Sequence, residues 1–435
     1  MLKNFIKKII WYDKFYWSIK SSPFYRQRKQ WNWKVANMIY GNPSKDFFII
    51  WVTGTNGKTT TVNILHKILN ENVAKTMMIS TANIKIWNQE TFNDKKMTSL
   101  DVYQLQEMLA IAKDSGCKMA ILEVSSHSME QERFAWVDFD FAVLTNITHD
   151  HLDYHNTMEE YANAKKKLFK KVLESPKNSK YASFPYDDKY WRSRFEEMNF
   201  DQKINYGIIT PSMIRAENII ESIDSTEFDI TYLWKTHHIV TKLLWKFNVY
   251  NILSALSVIV QMWLDIDKAI SSIQNFQWVE GRMEHIEKNW IHYFIDFAHT
   301  PDWLEKTLDY LTQIKGQWKL ILTFWAPWNR DKFKRPIMWE IAEKYADVVI
   351  ATDDDPDTED RMEILSQLTQ NIKKKTLWEN FFIIPDRENA LQKAVSIAQK
   401  WDILMFAGKW HEKVQLTNKW KRKRNDKEEV MKLIG

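Results

Sequence analysis

At 435 residues and 52.2 kDa the chain is too long for one hydrophobic core, which predicts two or three domains. A formal net charge of +5, with 45% hydrophobic and 27% charged residues, is that of an ordinary folded protein and argues against a nucleic-acid binder. The single cysteine, Cys117, excludes an intrachain disulfide and a multi-cysteine zinc site, which fits a reducing, cytoplasmic setting.

The first 40 residues are rich in aromatic and basic side chains, among them Phe15, Tyr16, Trp17, Phe24, Tyr25, Arg26 and Arg28. Such a segment suits peripheral contact with a membrane surface or docking on the body of the protein, and docking is the favoured reading. Met1 to Ile10 lacks the apolar core and cleavage site of a signal peptide, and no stretch is long and apolar enough to span a bilayer. Residues 47–52 read as a buried strand that runs into Gly54-Thr55-Asn56-Gly57-Lys58-Thr59-Thr60, and Thr60 to Leu69 then has helical spacing. Apolar runs at Met119 to Val124, Phe141 to Leu144 and Tyr181 to Phe184 predict further strands. Tyr103 to Lys113 and Met158 to Leu173 predict helices between them. From 204 to 246 short alternating runs predict a β-rich excursion, followed by a helix over Asn248 to Met262.

A second alternating unit starts near 281. Its strands are predicted at His292 to Ile295, Leu320 to Phe324, Val348 to Ala351, Phe381 to Ile384 and Ile403 to Phe406. The helices between are predicted at Asp302 to Gln313, Pro336 to Lys344, Arg361 to Asn371 and Glu388 to Gln399. The fold class is therefore α/β: a central P-loop domain with a mostly parallel sheet, plus a C-terminal Rossmann-like α/β domain. The expected divisions are a short N-terminal segment 1–46, a central domain 47–279 and a C-terminal domain 280–435.

Composition carries an anomaly. Glycine numbers 9, where a usual share of about 7% predicts roughly 30. Tryptophan numbers 22, and several stand where glycine suits the chain, as in Ala326-Pro327-Trp328-Asn329 and Gly408-Lys409-Trp410-His411. The expectation is that most of these tryptophans are glycine codons, UGA, read with the wrong genetic code.

The loop after the first strand is the strongest chemical signal. Backbone N–H groups at a helix N-terminus form an anion nest, Lys58 supplies a point charge and the Thr59 hydroxyl suits magnesium. The general pattern wants glycine at position 52, where this chain has Val52, so the loop is a variant. Glu123 ends one strand, and Asn146 to His155 follows another with His149, His151 and His155. A carboxylate and histidines at neighbouring strand ends suit magnesium. Zinc held by the three histidines is the less favoured reading. The second unit adds Asp296-Phe297-Ala298-His299, Asn329-Arg330-Asp331, Asp353 to Asp357 and Gly408 to Glu412, each after a strand, where ligand sites of such sheets gather.

These stretches together resemble the Mur ligase family, and within it the tripeptide-synthetase branch. The likeness is carried by VTGTNGKTTT (52–61), ILEVSSHSMEQERF (121–134), NITHDHLDYHNTMEEYANAKKKLF (146–169), KFNVYNILSAL (246–256) and EGRME (280–284). It continues in DFAHTPD (296–302), NRDKFKRPIM (329–338), DDDPDTE (353–359), PDREN (385–389) and AGKWHE (407–412). The resemblance spans roughly residues 47–428. It implies an ATP-dependent ligase of peptidoglycan synthesis that phosphorylates a carboxylate and lets an amine displace the phosphate. The family has glycine where this chain has Trp51, Trp136, Trp245, Trp328, Trp401 and Trp410.

By the matched motifs, Gly54, Thr55, Asn56, Gly57, Lys58, Thr59, Thr60, Asn146, Arg282, Asp296 and His299 are implied to bind ATP. Thr59, Glu123, His151 and Lys165 are implied to hold Mg2+, with Lys165 carboxylated on its amine; Lys58, Glu123, His151 and Lys165 form the catalytic set. Ser126, Gln131 and Arg133 are implied to bind the acceptor, and Arg330, Asp355, Asp357, Gly408 and Glu412 the incoming amino acid. Small-molecule substrates and a monomer are expected.

Two departures qualify the resemblance. Diaminopimelate-adding members carry Asp-Asn-Pro-Arg where this chain has Asp354-Asp355-Pro356-Asp357. An aspartate there repels the distal carboxylate and welcomes an ammonium, so L-lysine or another basic amino acid is expected over meso-diaminopimelate. Family members also have a uridine-nucleotide domain before the loop, where only about 50 residues precede it here. A lipid-linked or altered muropeptide acceptor is the alternative to a UDP-linked one. A folylpolyglutamate synthase-like ligase and a non-catalytic nucleotide-binding scaffold are the competing readings.

Overall fold

The computed structural model describes residues 35–435 except 94–97, 132, 135, 149–156, 297, 299, 326–333, 354–359, 409–413, 417–420 and 424. These residues form two compact units. The first comprises the described residues up to Ile147 with Glu159–Asn205 and Ser254–Asp265, and the second takes the described residues of Thr148–Met158 with Tyr206–Leu253 and Ile266–Gly435.

At the centre of the first unit lies β1 (Phe48–Thr53), buried at every position but the first. Its neighbours reflect the order of the chain. The helix Lys58–Asn72 leads to β2 (Thr76–Ile79), and β3 (Asn83–Ile86) and β4 (Gln89–Phe92) then fold back beside β2 as antiparallel strands. The helix Val102–Asp114 leads to β5 (Met119–Glu123), which inserts between β1 and β2, parallel to both. On the other side of β1 runs β6 (Phe141–Leu144), followed by β7 (Tyr181–Pro185), again parallel. The order is β7-β6-β1-β5-β2-β3-β4. Strands buried on both faces need apolar side chains at every position, which is why they read as unbroken runs in the sequence.

Helix starts follow local chemistry. Asp101 caps the helix Val102–Asp114 by accepting from the Tyr103 and Gln104 N–H groups. In the helix Met158–Glu174 the buried residues Tyr161, Ala164, Lys165, Leu168, Phe169 and Val172 recur at three- and four-residue steps.

Next along the chain come β8 (Gln202–Gly207) and, in the second unit, β9 (Ile214–Glu221), β10 (Thr226–Tyr232) and β11 (Lys235–Thr241), the last three forming the β-rich excursion as an antiparallel meander. A separate sheet follows: β12 (Glu284–Lys288), β13 (Ile291–Asp296), β14 (Leu320–Phe324), β15 (Val348–Ala351), β16 (Phe381–Ile383) and β17 (Ile403–Ala407). Its order is β12-β13-β17-β14-β15-β16, all parallel except the hairpin partner β12. Apolar side chains pack on both faces of it, Phe294, Leu322 and Met405 on one and Tyr293, Ile321 and Leu404 on the other. Arg387 and Asp426 form a fully buried ion pair that ties the helix Arg387–Ile397 to the C-terminal helix Asp426–Ile434. The α/β class and the alternating strand–helix order match the expectation. The elements that sequence left out are mostly short or polar, among them β2, β3, β4, β12 and the helices Ser126–Glu130, Lys189–Glu196, Ile266–Gln274 and Asp426–Ile434.

Candidate active site at the carboxyl ends of the parallel strands

In the first unit the carboxyl ends of β1, β2, β5 and β6 deliver four polar segments to one place. The loop after β1 turns at Gly54 and again at Gly57, whose φ of 83° starts the helix Lys58–Asn72. Gly54 sits against the end of β6 so closely that a Cβ there would lie 1.8 Å from Thr145 Oγ1. Thr145 and Asn146 then hold the loop from outside. The Thr145 hydroxyl donates to Asn56 O at 2.6 Å, Asn146 Oδ1 accepts from Asn56 N–H at 2.9 Å, and Asn146 O accepts from Thr55 N–H at 2.9 Å. A loop fixed by its neighbours presents its backbone to a phosphate without reorganisation.

Around this loop stand the ionisable groups. Lys58 Nζ donates to Gly54 O at 3.1 Å and Thr55 O at 2.8 Å, folded over the loop. Lys165, almost fully buried, donates to the same Gly54 O at 2.9 Å and lies 4.4 Å from the Tyr161 ring centre, a cation–π distance. The Tyr161 hydroxyl is 3.1 Å from Thr55 Oγ1. Glu123, at the end of β5, is also buried. Its Oε2 accepts from the Thr59 hydroxyl at 3.0 Å and the Thr81 N–H at 2.7 Å, and its Oε1 accepts from the Thr81 hydroxyl at 2.9 Å. A carboxylate and a hydroxyl in contact at a phosphate loop are the hard oxygen donors that magnesium prefers. Beside them, Arg133 donates to Gln131 Oε1 at 2.7 and 3.0 Å and to Ser99 O at 2.5 Å, and Ser126 begins the short helix Ser126–Glu130.

The second unit has its own cluster at the ends of β13 and β17. Asp296 is fully buried and accepts from Met283 N–H at 2.7 Å, Ala298 N–H at 2.8 Å and Trp303 Nε1 at 2.5 Å. Burial pushes its pKa up, against the pull of the nearby Arg282 guanidinium. Gly408 N–H donates to Asp296 O at 3.0 Å, so Arg282, Asp296 and Gly408 are gathered together. After β15, burial raises the Asp353 carboxyl to about 6 although Arg361 lies 2.6 Å away.

Lys58, Thr59, Glu123, Asn146 and Lys165 thus meet at one loop. His151, His299, Arg330, Asp355, Asp357 and Glu412 lie outside the described residues. Sequence reasoning missed Thr81, Thr145 and Tyr161. Thr145 directly precedes Asn146 at the end of an apolar run and was legible there. Thr81 follows a strand of only four residues, Thr76–Ile79, too short to stand out by periodicity.

Fold and loop together define the class: an α/β protein with a phosphate-binding loop at the switch between strands on either side of β1. Residues 52–259 match the Mur ligase middle domain and residues 281–410 the Mur ligase glutamate ligase domain. The UDP-N-acetylmuramoyl-L-alanyl-D-glutamate–2,6-diaminopimelate ligase of Bacillus cereus is 36% identical over 92% of this chain and 80% of its own length. The UDP-N-acetylmuramyl-tripeptide synthetase 2 of Oceanobacillus iheyensis is 36% identical over 90% of this chain and 78% of its own. Among solved structures, a UDP-N-acetylmuramoyl-L-alanyl-D-glutamate–2,6-diaminopimelate ligase covers 89% of this chain and 78% of its own, at 30% identity and a TM-score of 0.65. The chain belongs to the Mur ligase family. It is an ATP-dependent amide-bond-forming ligase of peptidoglycan synthesis. No described helix is long and apolar enough to cross a membrane.

Proposed function

We propose that the chain adds a basic amino acid, L-lysine before meso-diaminopimelate, to the D-glutamyl carboxylate of UDP-N-acetylmuramoyl-L-alanyl-D-glutamate or a related muropeptide. The observation that carries the ligase chemistry is the contact of Thr59 and Glu123 at a loop that also receives Lys58 and Lys165. In this reading the γ-phosphoryl group passes to the acceptor carboxylate, and the incoming amine attacks the acyl phosphate. The tetrahedral intermediate then expels phosphate, leaving the amide. No protein nucleophile is needed, so the residues act by position and charge.

Lys58 leaves its two loop carbonyls to meet the β/γ-phosphates, whose oxygens are stronger acceptors for an ammonium. Thr59, Glu123 and His151 would hold magnesium with Lys165 in its carboxylated form. The ion would neutralise charge on the phosphates when bound. The surroundings of Lys165 fit that modification: a carbamate keeps one N–H for the Gly54 carbonyl while its carboxylate supplies anionic oxygens. Asn146, Arg282, Asp296 and His299 are assigned to the nucleotide, Ser126, Gln131 and Arg133 to the acceptor. Arg330, Asp355, Asp357, Gly408 and Glu412 are assigned to the amino acid.

The preference for lysine rests on Asp357, since the curated relatives named above include a diaminopimelate ligase. The test is ADP release by the purified chain with ATP, Mg2+ and the UDP-linked dipeptide, supplied in turn with L-lysine, L-ornithine and meso-diaminopimelate, with the product weighed. Lysine-dependent turnover above that with diaminopimelate is expected. Asp357→Arg should weaken lysine use, and unchanged lysine kinetics in that variant would sink the assignment.

A further inference from the structure

Backbone conformation reports on side-chain identity independently of composition. Among the described residues twelve non-glycine residues hold φ in the left-handed region. Seven are tryptophan: Trp87, Trp234, Trp245, Trp263, Trp290, Trp378 and Trp401, with φ between 54° and 78°. Tryptophan is 22 of 435 residues, so an even draw would put fewer than one among the twelve. A Cβ is unfavourable in this region, and a bulky residue there is an outlier.

The hydrogen bonds around these residues show what the chain requires. After the helix Lys246–Gln261, Leu264 N–H donates to Ile259 O at 3.0 Å and Trp263 N–H to Val260 O at 3.1 Å. This paired closure normally has glycine at the position Trp263 holds. The helix Val102–Asp114 ends in the same pattern, Cys117 N–H to Ala112 O and Gly116 N–H to Lys113 O, both at 2.9 Å, and there the residue is glycine with φ 82°. Two hairpins repeat the point. Leu233-Trp234 joins β10 to β11 with φ of 46° and 66°, and Asn289-Trp290 joins β12 to β13 with φ of 55° and 65°. Positive φ at both positions of a two-residue turn favours Asn-Gly above other pairs. At Trp234 and Trp263, 98% and 79% exposed, no packing gain offsets the strain.

Three buried tryptophans fail differently. Trp51 on β1 has its ring centre 3.4 Å from that of Phe139, closer than the roughly 4.5–7 Å of packed aromatic pairs. The indole N–H groups of Trp51, Trp325 and Trp339 are buried without an acceptor among the described residues. Trp325, after β14, crowds Gly408, where a Cβ would meet its Nε1 at 1.9 Å.

We propose that the molecule made in its own cell carries glycine at these ten positions, their codons being UGA decoded as glycine. The consequence reaches the candidate site. With Trp325→Gly, the space beside Gly408 at the ends of β14 and β17 is open to a ligand. With Trp51→Gly, β1 packs without the crowded indole directly ahead of the phosphate loop.

The first test is the coding DNA together with peptide masses of the protein isolated from its source cell. UGA codons and glycine-mass peptides at the ten positions are expected; UGG codons or tryptophan-mass peptides overturn the proposal. The second compares thermal unfolding of the tryptophan chain with chains carrying glycine, or alanine, at the seven left-handed positions. The glycine chain should melt at least ~10 °C above the tryptophan chain and above the alanine chain. Alanine equal to glycine, or no gain with either, overturns the conformational argument.

Discussion

Replacing Glu123 separates charge from packing at the candidate site. Its carboxylate accepts from the Thr59 hydroxyl, the Thr81 N–H and the Thr81 hydroxyl, at 3.0, 2.7 and 2.9 Å. In Glu123→Ala the two hydroxyls can rotate to other acceptors, but the Thr81 N–H cannot. One orphaned buried donor costs ~1–3 kcal/mol, and the lost side-chain packing adds ~1 kcal/mol. At ~2–4 °C per kcal/mol for a unit of this size, the melting temperature should fall by roughly 4–16 °C. Glu123→Gln keeps a carbonyl for the Thr81 N–H and relieves the desolvation of a buried anion, which offsets the weaker neutral hydrogen bonds, so stability should change by less than ~2 kcal/mol. Under the proposed mechanism phosphate release should nevertheless drop ~100-fold or more in both, because the γ-phosphoryl transfer would then need charge from this position. The assay is amino-acid-dependent phosphate release across a magnesium titration, paired with thermal melts. If Glu123→Gln turns over within ~3-fold of the parent chain at every magnesium concentration, the carboxylate is a structural acceptor only and the assignment fails.

Thr81→Val keeps the N–H donor and removes the hydroxyl at Glu123 Oε1. Half-maximal magnesium should rise roughly 10-fold with little change in saturated turnover, whereas a fall in turnover alone would deny Thr81 a positioning role. Gly54→Ala drives a Cβ into Thr145 Oγ1, 1.8 Å away, and should weaken ADP binding at least ~10-fold. Adding Thr145→Ala removes that oxygen and should recover part of the loss, and a strictly additive double variant would refute the steric argument. Burial holds His66 and His285 down to about 4, against 6.5 in the unfolded chain. The stability from burying them neutral is complete above pH 6.5 and lost as pH falls towards 4, at roughly 3 kcal/mol each. Asp353, raised to about 6, works in the opposite direction between pH 6 and 3.8. His285 stacks on Phe294, with ring centres 4.6 Å apart, so His285→Phe should flatten the acid limb of the second unit's unfolding curve, and an unchanged limb would locate the acid sensitivity elsewhere.

The sequence exposed most strands of the two parallel sheets because they are buried on two faces and largely apolar, as in Ile49 to Val52 or Ile403 to Phe406, whereas β2 is too short to stand out. It exposed the candidate site for a related reason. Strands that end in an open crevice hand over abruptly from apolar to polar residues, and Glu123, Thr145 and Asn146 stand at such transitions. What it concealed lacks either property. β3 and β4 are partly solvated strands of four residues at the margin of the sheet, β4 its edge, and Thr81 owes its place to the turn that follows β2 rather than to any pattern of its own. Tyr161 and Lys165 share the buried face of one amphipathic helix, where a lysine reads as one more basic residue until the fold turns it inward.

Tryptophan is where composition and conformation must be read together. Counts alone raise a suspicion that a genuinely tryptophan-rich protein would also raise. The φ angles remove that ambiguity at Trp263, because Gly116 closes another helix of the same chain with the same two hydrogen bonds. The same logic reorders the second cluster. Trp303 supplies one of three donors to Asp296, and if it too is glycine, the carboxylate keeps the Met283 and Ala298 N–H groups and gains an open side. An Asp296 freed on one edge, next to Arg282 and Gly408, is better placed to meet a hydroxyl than one sealed by an indole.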